Sequence, residues 1–394
     1  MMTAVLCSCN MPTREKAMAQ VVSEAFDNSI KQYRLMAEKL LAQEAVLPRH
    51  FENGKMVTTG TGDWISGFFA GSLWYLYEYS HDEQILAYAR QYTHRIEQEK
   101  NNIGTHDLGF MFYCSFGNGY RLTGDTTYKE VLHTAAHSLA TRYDPAIGLI
   151  RSWDAFREVW QYPVIIDNMM NLELLLWTAK EYNEPALRDI SISHANRTMQ
   201  EHYRDDYSCY HVVSYDVKTG LPEKKQTHQG FSDESSWSRG QAWGLYGFTL
   251  MYRETKDKKY LSQAQHIAHY LIHHPNMPKD YIPYWDMDAP DIPNTYRDAS
   301  TASIMASALI ELSGYVDKKL SKEYLQVAEK QIRTLASPEY TAKVGENGNF
   351  ILMHGVGALP LNLQIDVPLT YADYYYLEAL SRYKKIITFA KSDL

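Results

Sequence analysis

Two aspartates occupy nearly the same local setting, each just ahead of a strongly apolar, aromatic-rich stretch. They are Asp107 in GTHDLGFMFYCSFGNGY and Asp167 in YPVIIDNMMNLELLLW. A carboxylate where a loop runs into a buried helix is either a helix cap or a group that moves protons. Capping lowers the pKa of a carboxylate, whereas a proton donor near neutral pH needs a raised one. His106 directly precedes Asp107 and belongs either to the same site or to the core.

Capping is the simpler interpretation of each aspartate taken alone. Asp63, Asp298 and Asp366 also fall just before or at the start of a predicted inner helix, and Asp is a favoured N-cap residue. Asp107 and Asp167 differ because they open successive inner helices, so mutual repulsion can keep one carboxyl protonated. We therefore predict that this pair performs acid/base chemistry.

Polar and aromatic residues are densest in THQG and SWSRGQAWG, at 227–230 and 236–244. Arg239 lies here between two tryptophans, where it can form a bidentate pair with a carboxylate while the rings stack on a sugar. In the structural alternative, Arg239 only pairs with Asp233 or Glu234 and the second tryptophan fills the core. Glycines beside aromatic residues are compatible with a backbone that approaches a ligand.

One unit recurs along the chain: an apolar helix, a tight polar turn and an amphipathic helix, as in an αα-hairpin. The pattern predicts twelve helices, at 14–44, 66–80, 82–100, 107–123, 125–142, 167–182, 185–203, 238–255, 257–273, 298–314, 321–336 and 369–387. Six helices that are apolar on most sides would be ringed by six that keep a polar face. This predicts an all-α fold, the (α/α)6 barrel; the competing fold is an open helical solenoid, whose repeats are usually more regular in length.

The connections divide into short inner-to-outer turns and long outer-to-inner loops. The long loops are 45–65, 143–166, 204–237, 274–297 and 337–368. They concentrate five tryptophans near the N-terminal ends of the inner helices: Trp64, Trp153, Trp160, Trp237 and Trp285. Because long loops carry function more often than short ones, we predict the active face at that end of the barrel.

Composition narrows the classes of partner and cofactor. The 394 residues are 45% hydrophobic, enough for a large core, and the net charge of −8 with no basic run argues against nucleic acid. The four cysteines match neither a disulfide framework nor a zinc site. No phosphate loop, HExxH motif or nucleophile elbow is present, so we predict no metal and no cofactor.

The N-terminus reads TAVLCSCN, which resembles the end of a bacterial lipoprotein signal with Cys9 as the lipidated residue. The apolar part before Cys9 is short for such a signal, and no run reaches the length of a transmembrane helix. We interpret 1–12 as a possible signal remnant and 13–394 as one catalytic domain. The location is then periplasmic or lipid-anchored, with a cytoplasmic alternative, and the protein is a monomer or a homodimer.

Long motifs of this chain resemble a known family. DWISGFFAGSLWYLYEY, THDLGFMFYCSFGNGYRLTGD, IIDNMMNLELL, THQGFSDESSWSRGQAWGLYGF and HGVGALPLNLQIDVPLTYADYYYLEAL are similar to the unsaturated glucuronyl hydrolases, glycoside hydrolase family 88. The likeness runs from about Trp64 to the last inner helix. It implies the same (α/α)6 fold and, as partner, an oligosaccharide whose non-reducing uronic acid carries a C4=C5 double bond.

The resemblance also implies roles for individual residues. Asp167 would protonate C4 and help to deliver water to C5, so that the resulting hemiketal collapses, while Asp107 would hold the uronate hydroxyls and tune Asp167. The residues expected to line the uronate pocket are Trp64, His106, Trp153, His211, Thr227, Gln229, Trp237, Arg239 and Trp243. The alternatives are an unsaturated rhamnogalacturonyl hydrolase, a non-catalytic glycan-binding toroid and a sugar epimerase, which would need a histidine pair.

Overall fold

The computed structural model describes residues 16–43 and 46–392, with side chains to residue 388, and this part of the chain forms six helical hairpins. The outer helices are α1 (Met18–Leu40), α3 (Glu83–Arg95), α5 (Thr126–Ala140), α7 (Pro185–Glu201), α9 (Lys258–His273) and α11 (Lys318–Leu335). The inner helices are α2 (Ser66–Ser80), α4, α6, α8 (Ser238–Thr255), α10 (Ala299–Ser313) and α12 (Thr370–Ser392). Two inner helices begin irregularly: α4 as a π-helix (Gly109–Gly117) before Asn118–Thr123, and α6 as a 3-10 helix (Ile166–Asn171) before Leu172–Tyr182.

The inner helices form a closed ring. Each contacts the next in the order α2, α4, α6, α8, α10 and α12, and α12 returns to contact α2. This closure confirms the predicted (α/α)6 barrel over the open solenoid. It also explains the sequence pattern, because a helix inside the ring is covered on nearly all sides whereas an outer helix keeps one face in water.

Aspartate capping occurs mainly on the outer helices. Asp82, Asp125, Asp257 and Asp317 are the N-cap residues of α3, α5, α9 and α11, and each side chain accepts a backbone N–H of the first turn. Among the described inner helices only α10 has such a cap, from Asp298. Four of the five short inner-to-outer turns are therefore held by aspartate caps, the turn before α7 being the exception, and most of the inner aspartates make other contacts.

The long loops carry small antiparallel strands that the sequence analysis did not predict. They are β1 (Leu47–Glu52), β2 (Lys55–Thr59), β3 (Tyr143–Asp144), β4 (Leu149–Ile150), β5 (Pro163–Ile165), β6 (Val212–Tyr215), β7 (Pro222–Gln226), β8 (Gly355–Ala358) and β9 (Leu363–Val367). The pairs are β1–β2, β3–β4 and β8–β9, and β5–β6–β7 is a three-stranded sheet. Strand β1 contacts the inner helices α2 and α12, and β8 contacts α10, whereas β4 contacts the outer helix α7.

Close backbone packing brings the starts of α4 and α6 together. A Cβ atom added at Gly109 would lie 2.5 Å from the Cα atom of Asn171, so only glycine allows this approach. The Asn171 side-chain oxygen accepts the backbone N–H of Phe110 at 2.9 Å. Because Asp107 and Asp167 stand at these two helix starts, this packing sets their separation.

No helix in the described part of the chain has the length and apolarity required to cross a bilayer. The lipoprotein-like segment around Cys9 lies outside the described residues.

Candidate active site

Asp167 is buried at the start of α6, with one carboxylate oxygen that no group satisfies. The residue is 8% exposed, it does not cap the helix, and its Oδ2 atom has no hydrogen-bond partner. Two buried donors near it, the His211 Nε2 atom and the Trp243 indole nitrogen, also lack a partner. A ligand that entered beside Asp167 would give these buried polar atoms hydrogen-bond partners.

Burial raises the pKa of Asp167 to about 7. The Arg239 charge opposes this shift and the Asp107 charge supports it, while the indole N–H of Trp243 lowers the pKa slightly. The sequence analysis expected either burial or a second carboxylate to raise this pKa; burial is the larger cause and Asp107 adds to it. The result is opposite to the low pKa that a helix cap would have.

Asp107 also lies outside a capping role. Its Oδ2 atom accepts the hydroxyl hydrogen of Thr105 at 3.0 Å, and its Oδ1 atom is 3.4 Å from the Nε2 atom of His106. His106 is fully buried, and burial lowers its pKa despite the neighbouring Asp107 carboxylate. A neutral His106 therefore contacts the Oδ1 atom of Asp107. The Asp107 carboxyl remains partly exposed.

His211 has its tautomer fixed by the backbone. Its Nδ1 atom accepts the N–H groups of His228 and Gln229 at 3.1 and 3.2 Å. Burial lowers the pKa of His211 well below its ordinary value, so the ring is neutral and carries its hydrogen on Nε2. That atom is 3.7 Å from the unpaired Oδ2 atom of Asp167. A neutral N–H donor thus faces the carboxyl without pairing with it.

Aromatic rings form the wall around the two aspartates. Trp237 packs on His211 with ring centroids 4.5 Å apart, and Trp153 lies 5.9 Å from the same ring. On the other side Phe110 lies between Trp243 at 5.1 Å and Trp64 at 5.5 Å. Trp64 and Trp153 are only partly buried, which leaves ring surface available to a ligand.

Arg239 is fully enclosed at the centre of this end of the barrel. Its Nη1 atom donates to Asp298 at 3.1 Å and to the Val356 carbonyl, and its Nη2 atom donates to Gly357 O at 2.6 Å and Gln229 Oε1 at 3.2 Å. The predicted structural partners Asp233 and Glu234 are wrong, because strand β8, the N-cap of α10 and Gln229 supply the contacts instead.

The enclosed guanidinium also limits the predicted bidentate contact with a substrate carboxylate. Both Nη atoms are occupied, so a ligand reaches the Nε and Nη2 edge only by displacing the side-chain oxygen of Gln229. Thr227 shapes the same turn: its hydroxyl oxygen accepts the Gly230 N–H at 2.8 Å, and its own N–H donates to Asp233 at 2.9 Å. This turn therefore positions the Gln229 side chain against the Arg239 guanidinium.

Contacts among these groups join the starts of all six inner helices. Trp64 before α2 packs on Tyr371 of α12 at 4.9 Å, and the Arg239 guanidinium of α8 lies 5.3 Å from the Tyr371 ring. Arg239 also reaches the α10 cap, and the α4 and α6 starts meet through Gly109. All eleven predicted site residues lie at this end, as the loop lengths predicted.

Several residues of this site were not found from sequence. Tyr371 and Phe110 pack against predicted site residues, yet each reads as an ordinary aromatic residue in the sequence. His228 lies in the predicted THQG cluster but was given no role, and its ring packs on Trp153. Two predicted caps also differ: Asp63 pairs with Arg49 besides accepting the Ile65 N–H at 3.3 Å, and Asp366 lies in β9.

Comparison with known proteins places the chain in a family. The model of Glycosyl Hydrolase Family 88 matches residues 36–386. The chain belongs to glycoside hydrolase family 88. It is therefore a glycoside hydrolase, which confirms the predicted enzyme class and the family resemblance.

Family 88 relatives are similar over most of their length. The chain is 46% identical to an unsaturated glucuronyl hydrolase of Formosa agariphila, across 82% of this chain and 81% of that protein. It is 32% identical to an unsaturated chondroitin disaccharide hydrolase of Streptococcus pyogenes, across 95% of this chain and 94% of that protein. The crystal structure of an unsaturated glucuronyl hydrolase specific for heparin superposes with a TM-score of 0.91 at 46% identity, covering 94% of this chain and 98% of that one.

Proposed function

We propose that this family 88 enzyme hydrates the C4=C5 double bond of unsaturated uronyl disaccharides released from glycosaminoglycans, with Asp167 as the general acid and base. The observation that carries the proposal is the carboxyl of Asp167: it is buried, its pKa is raised to about 7, and its Oδ2 atom has no partner. Such a group holds a proton near neutral pH and has a free oxygen from which to deliver it.

The proton goes from Asp167 to C4 of the substrate, and positive charge develops at C5. Water then adds to C5 and gives up a proton to the Asp167 carboxylate, which restores the acid. The hemiketal that forms at C5 collapses and releases the next sugar. Asp107 is close enough to Asp167 for its charge to raise the pKa of that carboxyl, so we assign this second carboxylate to the uronate hydroxyls and to stabilising the positive charge.

The donors around Asp167 suit the intermediate state of this cycle. After proton transfer the carboxylate is ionised, and the His211 Nε2–H and the Trp243 indole N–H can then each donate to it. Before transfer both interactions are weak: the His211 Nε2 atom is 3.7 Å from Oδ2, and the Trp243 indole N–H is the last of the causes that act on the pKa of Asp167. Catalytic hydrogen bonds that tighten only during the reaction have this geometry.

Arg239 links the substrate's own charge to the acidity of Asp167. The Arg239 charge lowers the pKa of Asp167 in the free enzyme. A uronate carboxylate that displaced Gln229 from the guanidinium would neutralise this effect, so Asp167 would hold its proton more firmly once substrate is bound. We assign carboxylate recognition to Arg239 and Gln229, and sugar stacking to Trp64, Trp153, Trp237 and Trp243.

The identities of the relatives support one substrate class over another. The structure at 46% identity is described as specific for heparin, whereas the relatives described as chondroitin disaccharide hydrolases are 31–32% identical. We therefore propose a heparin-type unsaturated disaccharide as the preferred substrate and a chondroitin-type one as a slower substrate.

The test follows loss of the double-bond absorbance with disaccharides from heparin, chondroitin, hyaluronan and pectin lyase digests. We expect turnover of glycosaminoglycan products, fastest for heparin, and none by Asp167→Asn. Substrate binding by Asp167→Asn, measured by tryptophan fluorescence, is the control. Binding without turnover of any disaccharide by the unaltered enzyme would support the glycan-binding toroid instead, and turnover of pectin products alone would support the rhamnogalacturonyl alternative.

We also propose that 13–394 is one catalytic domain. The ring closed by α12 against α2 supports this, because removing either end would open the barrel. A periplasmic or lipid-anchored location and a monomeric or dimeric state remain proposals, to be tested by fractionation of the native protein and by its mass in solution.

A further inference from the structure

Two histidines and a glutamate converge on the outer wall of the barrel, away from the active end. The Nε2 atom of His133 is 2.7 Å from Oε1 of Glu184, and the Nε2 atom of His137 is 2.8 Å from Oε2 of the same carboxylate. One ligand atom from each of the three residues lies within 4.8 Å of the others. Nothing in the proposed reaction uses these groups.

The backbone positions all three side chains before any ligand arrives. His133 and His137 are four residues apart on α5, so they share one face of the helix. Glu184 stands in the turn between α6 and α7, where its N–H donates to Ala179 O at 2.9 Å and Pro185 begins α7. Tyr182 stacks on the His133 ring at 4.1 Å and holds its plane.

Glu184 occupies the N-cap position of α7 but does not cap it. Its carboxylate makes no hydrogen bond to the first turn of α7 and points at the two imidazoles instead. The other described outer-helix caps after an inner helix, Asp82, Asp125, Asp257 and Asp317, all satisfy backbone N–H groups. The Glu184 carboxylate therefore makes no capping hydrogen bond, unlike the four aspartates, and contacts the two histidines instead.

Two imidazoles and one carboxylate are a donor set for a divalent transition metal, and not for Mg²⁺ or Ca²⁺, which prefer oxygen ligands. Zinc bonds to nitrogen and oxygen at about 2.0–2.2 Å, so tetrahedral ligands stand about 3.4 Å apart. The present N···O distances of 2.7 and 2.8 Å must therefore open by about 0.6–0.7 Å. His137 is half-exposed, which permits this movement and leaves a side open for water.

We infer that His133, His137 and Glu184 form a zinc-type metal site that joins α5 to the turn between α6 and α7. The sequence analysis expected no metal ligands. Asp167 lies at the other end of α6, roughly 20 Å away along the helix. The metal therefore stabilises the barrel wall and takes no part in the chemistry.

The test measures Zn²⁺ binding to the full chain by calorimetry and thermal unfolding, in a Cys7→Ser/Cys9→Ser background that removes the N-terminal thiols as competing ligands. We expect one Zn²⁺ per chain, a higher Tm with Zn²⁺ than with Mg²⁺, and unchanged kcat. Removing one ligand with His137→Gln or Glu184→Gln should weaken binding at least about tenfold and abolish the Tm increase.

A matched control is present on α9. His269 and His273 have the same spacing, their rings are 4.4 Å apart, and Glu323 lies 3.0 Å from the Nε2 atom of His273 alone. His269→Gln/His273→Gln should leave Zn²⁺ binding intact, whereas His133→Gln/His137→Gln should remove it. Each variant's Tm without metal reports its folding. Absence of saturable binding, or binding that persists in His133→Gln/His137→Gln, overturns the inference.

Discussion

Two buried aspartates at the starts of inner helices have similar pKa values but differ in their hydrogen bonds. Burial raises the pKa of Asp167 at the start of α6 to about 7, and burial does the same to Asp373 in the first turn of α12. Asp373, however, is fully occupied: it accepts the N–H groups of Ile351 and Leu352, each at 2.9 Å, and the Tyr33 hydroxyl at 3.0 Å. Asp167 has an oxygen with no partner.

A raised pKa alone therefore does not identify a catalytic acid. Both carboxyls can hold a proton at neutral pH, but only one can present it to a substrate. Asp373 of α12 forms hydrogen bonds with the loop before β8 and with α1, so its role is structural. Asp167 faces unpaired donors and an aromatic wall, as a reacting group requires.

The largest expected effect is on turnover by Asp167→Asn. The amide cannot donate a carboxylic proton, so kcat should fall by about 10³-fold or more. Folding should be retained, because no hydrogen bond to Oδ2 is lost. Steady-state kinetics and a thermal melt on the same preparation check this. A variant that melts early, with residual folded enzyme still active, would assign Asp167 a structural role.

Asp373→Asn should give the reverse result. In the asparagine variant an NH₂ group replaces one carboxylate oxygen of Asp373. That NH₂ group cannot accept the hydrogen bond that the oxygen accepted, and it faces a backbone N–H or the Tyr33 hydroxyl, which is also a donor. We expect a loss of about 2–4 kcal/mol in the free energy of unfolding. The kcat per folded molecule should stay near that of the unaltered enzyme. Denaturant titration measures the loss, and a large fall in kcat without destabilisation would contradict a structural role for Asp373.

A further effect concerns the pH dependence of stability. The folded state keeps a proton on Asp167 that the unfolded chain releases above pH 4, so this group destabilises the fold progressively as pH rises from about 4 to about 7. Asp167→Asn removes that penalty, and because about three pKa units separate the two states, we expect the variant to be more stable than the unaltered enzyme by at most about 4 kcal/mol at pH 8. The difference should vanish near pH 4. Unfolding curves at both pH values measure it, and a constant difference would contradict the raised pKa.

The smallest effects are shifts of the pH profile in opposite directions. The Asp107 charge raises the pKa of Asp167, so Asp107→Asn should move the alkaline limb of kcat/KM to lower pH. The Arg239 charge lowers that pKa, so Arg239→Gln should move the limb to higher pH. Profiles of the residual activity check both. Shifts in the same direction would mean that another group sets the limb.

The sequence predicted the barrel well because helix periodicity and polar turns are local signals. Helices α2, α8 and α10 begin and end within one residue of their predicted limits. The π and 3-10 starts of α4 and α6 were not predicted, since they depend on packing between distant segments such as Gly109 against Asn171. The strands of the long loops were missed for the same reason.

The site was predicted less completely than the fold. Long motifs located the aspartates and tryptophans, but the partner of Arg239 was predicted among its sequence neighbours and lies 59 residues away at Asp298. Asp373 was not singled out, because an aspartate within TYADYYY gives no sign of being buried. Its likeness to Asp167 exists only in three dimensions.

The most direct test is a ¹³C NMR titration of the aspartate carboxyl carbons. Two signals should titrate near pH 7: one should disappear in Asp167→Asn and the other in Asp373→Asn. Only the first should move when a substrate analogue binds, and it should move to higher pKa. An Asp167 carboxyl that titrates near pH 4 would contradict the account.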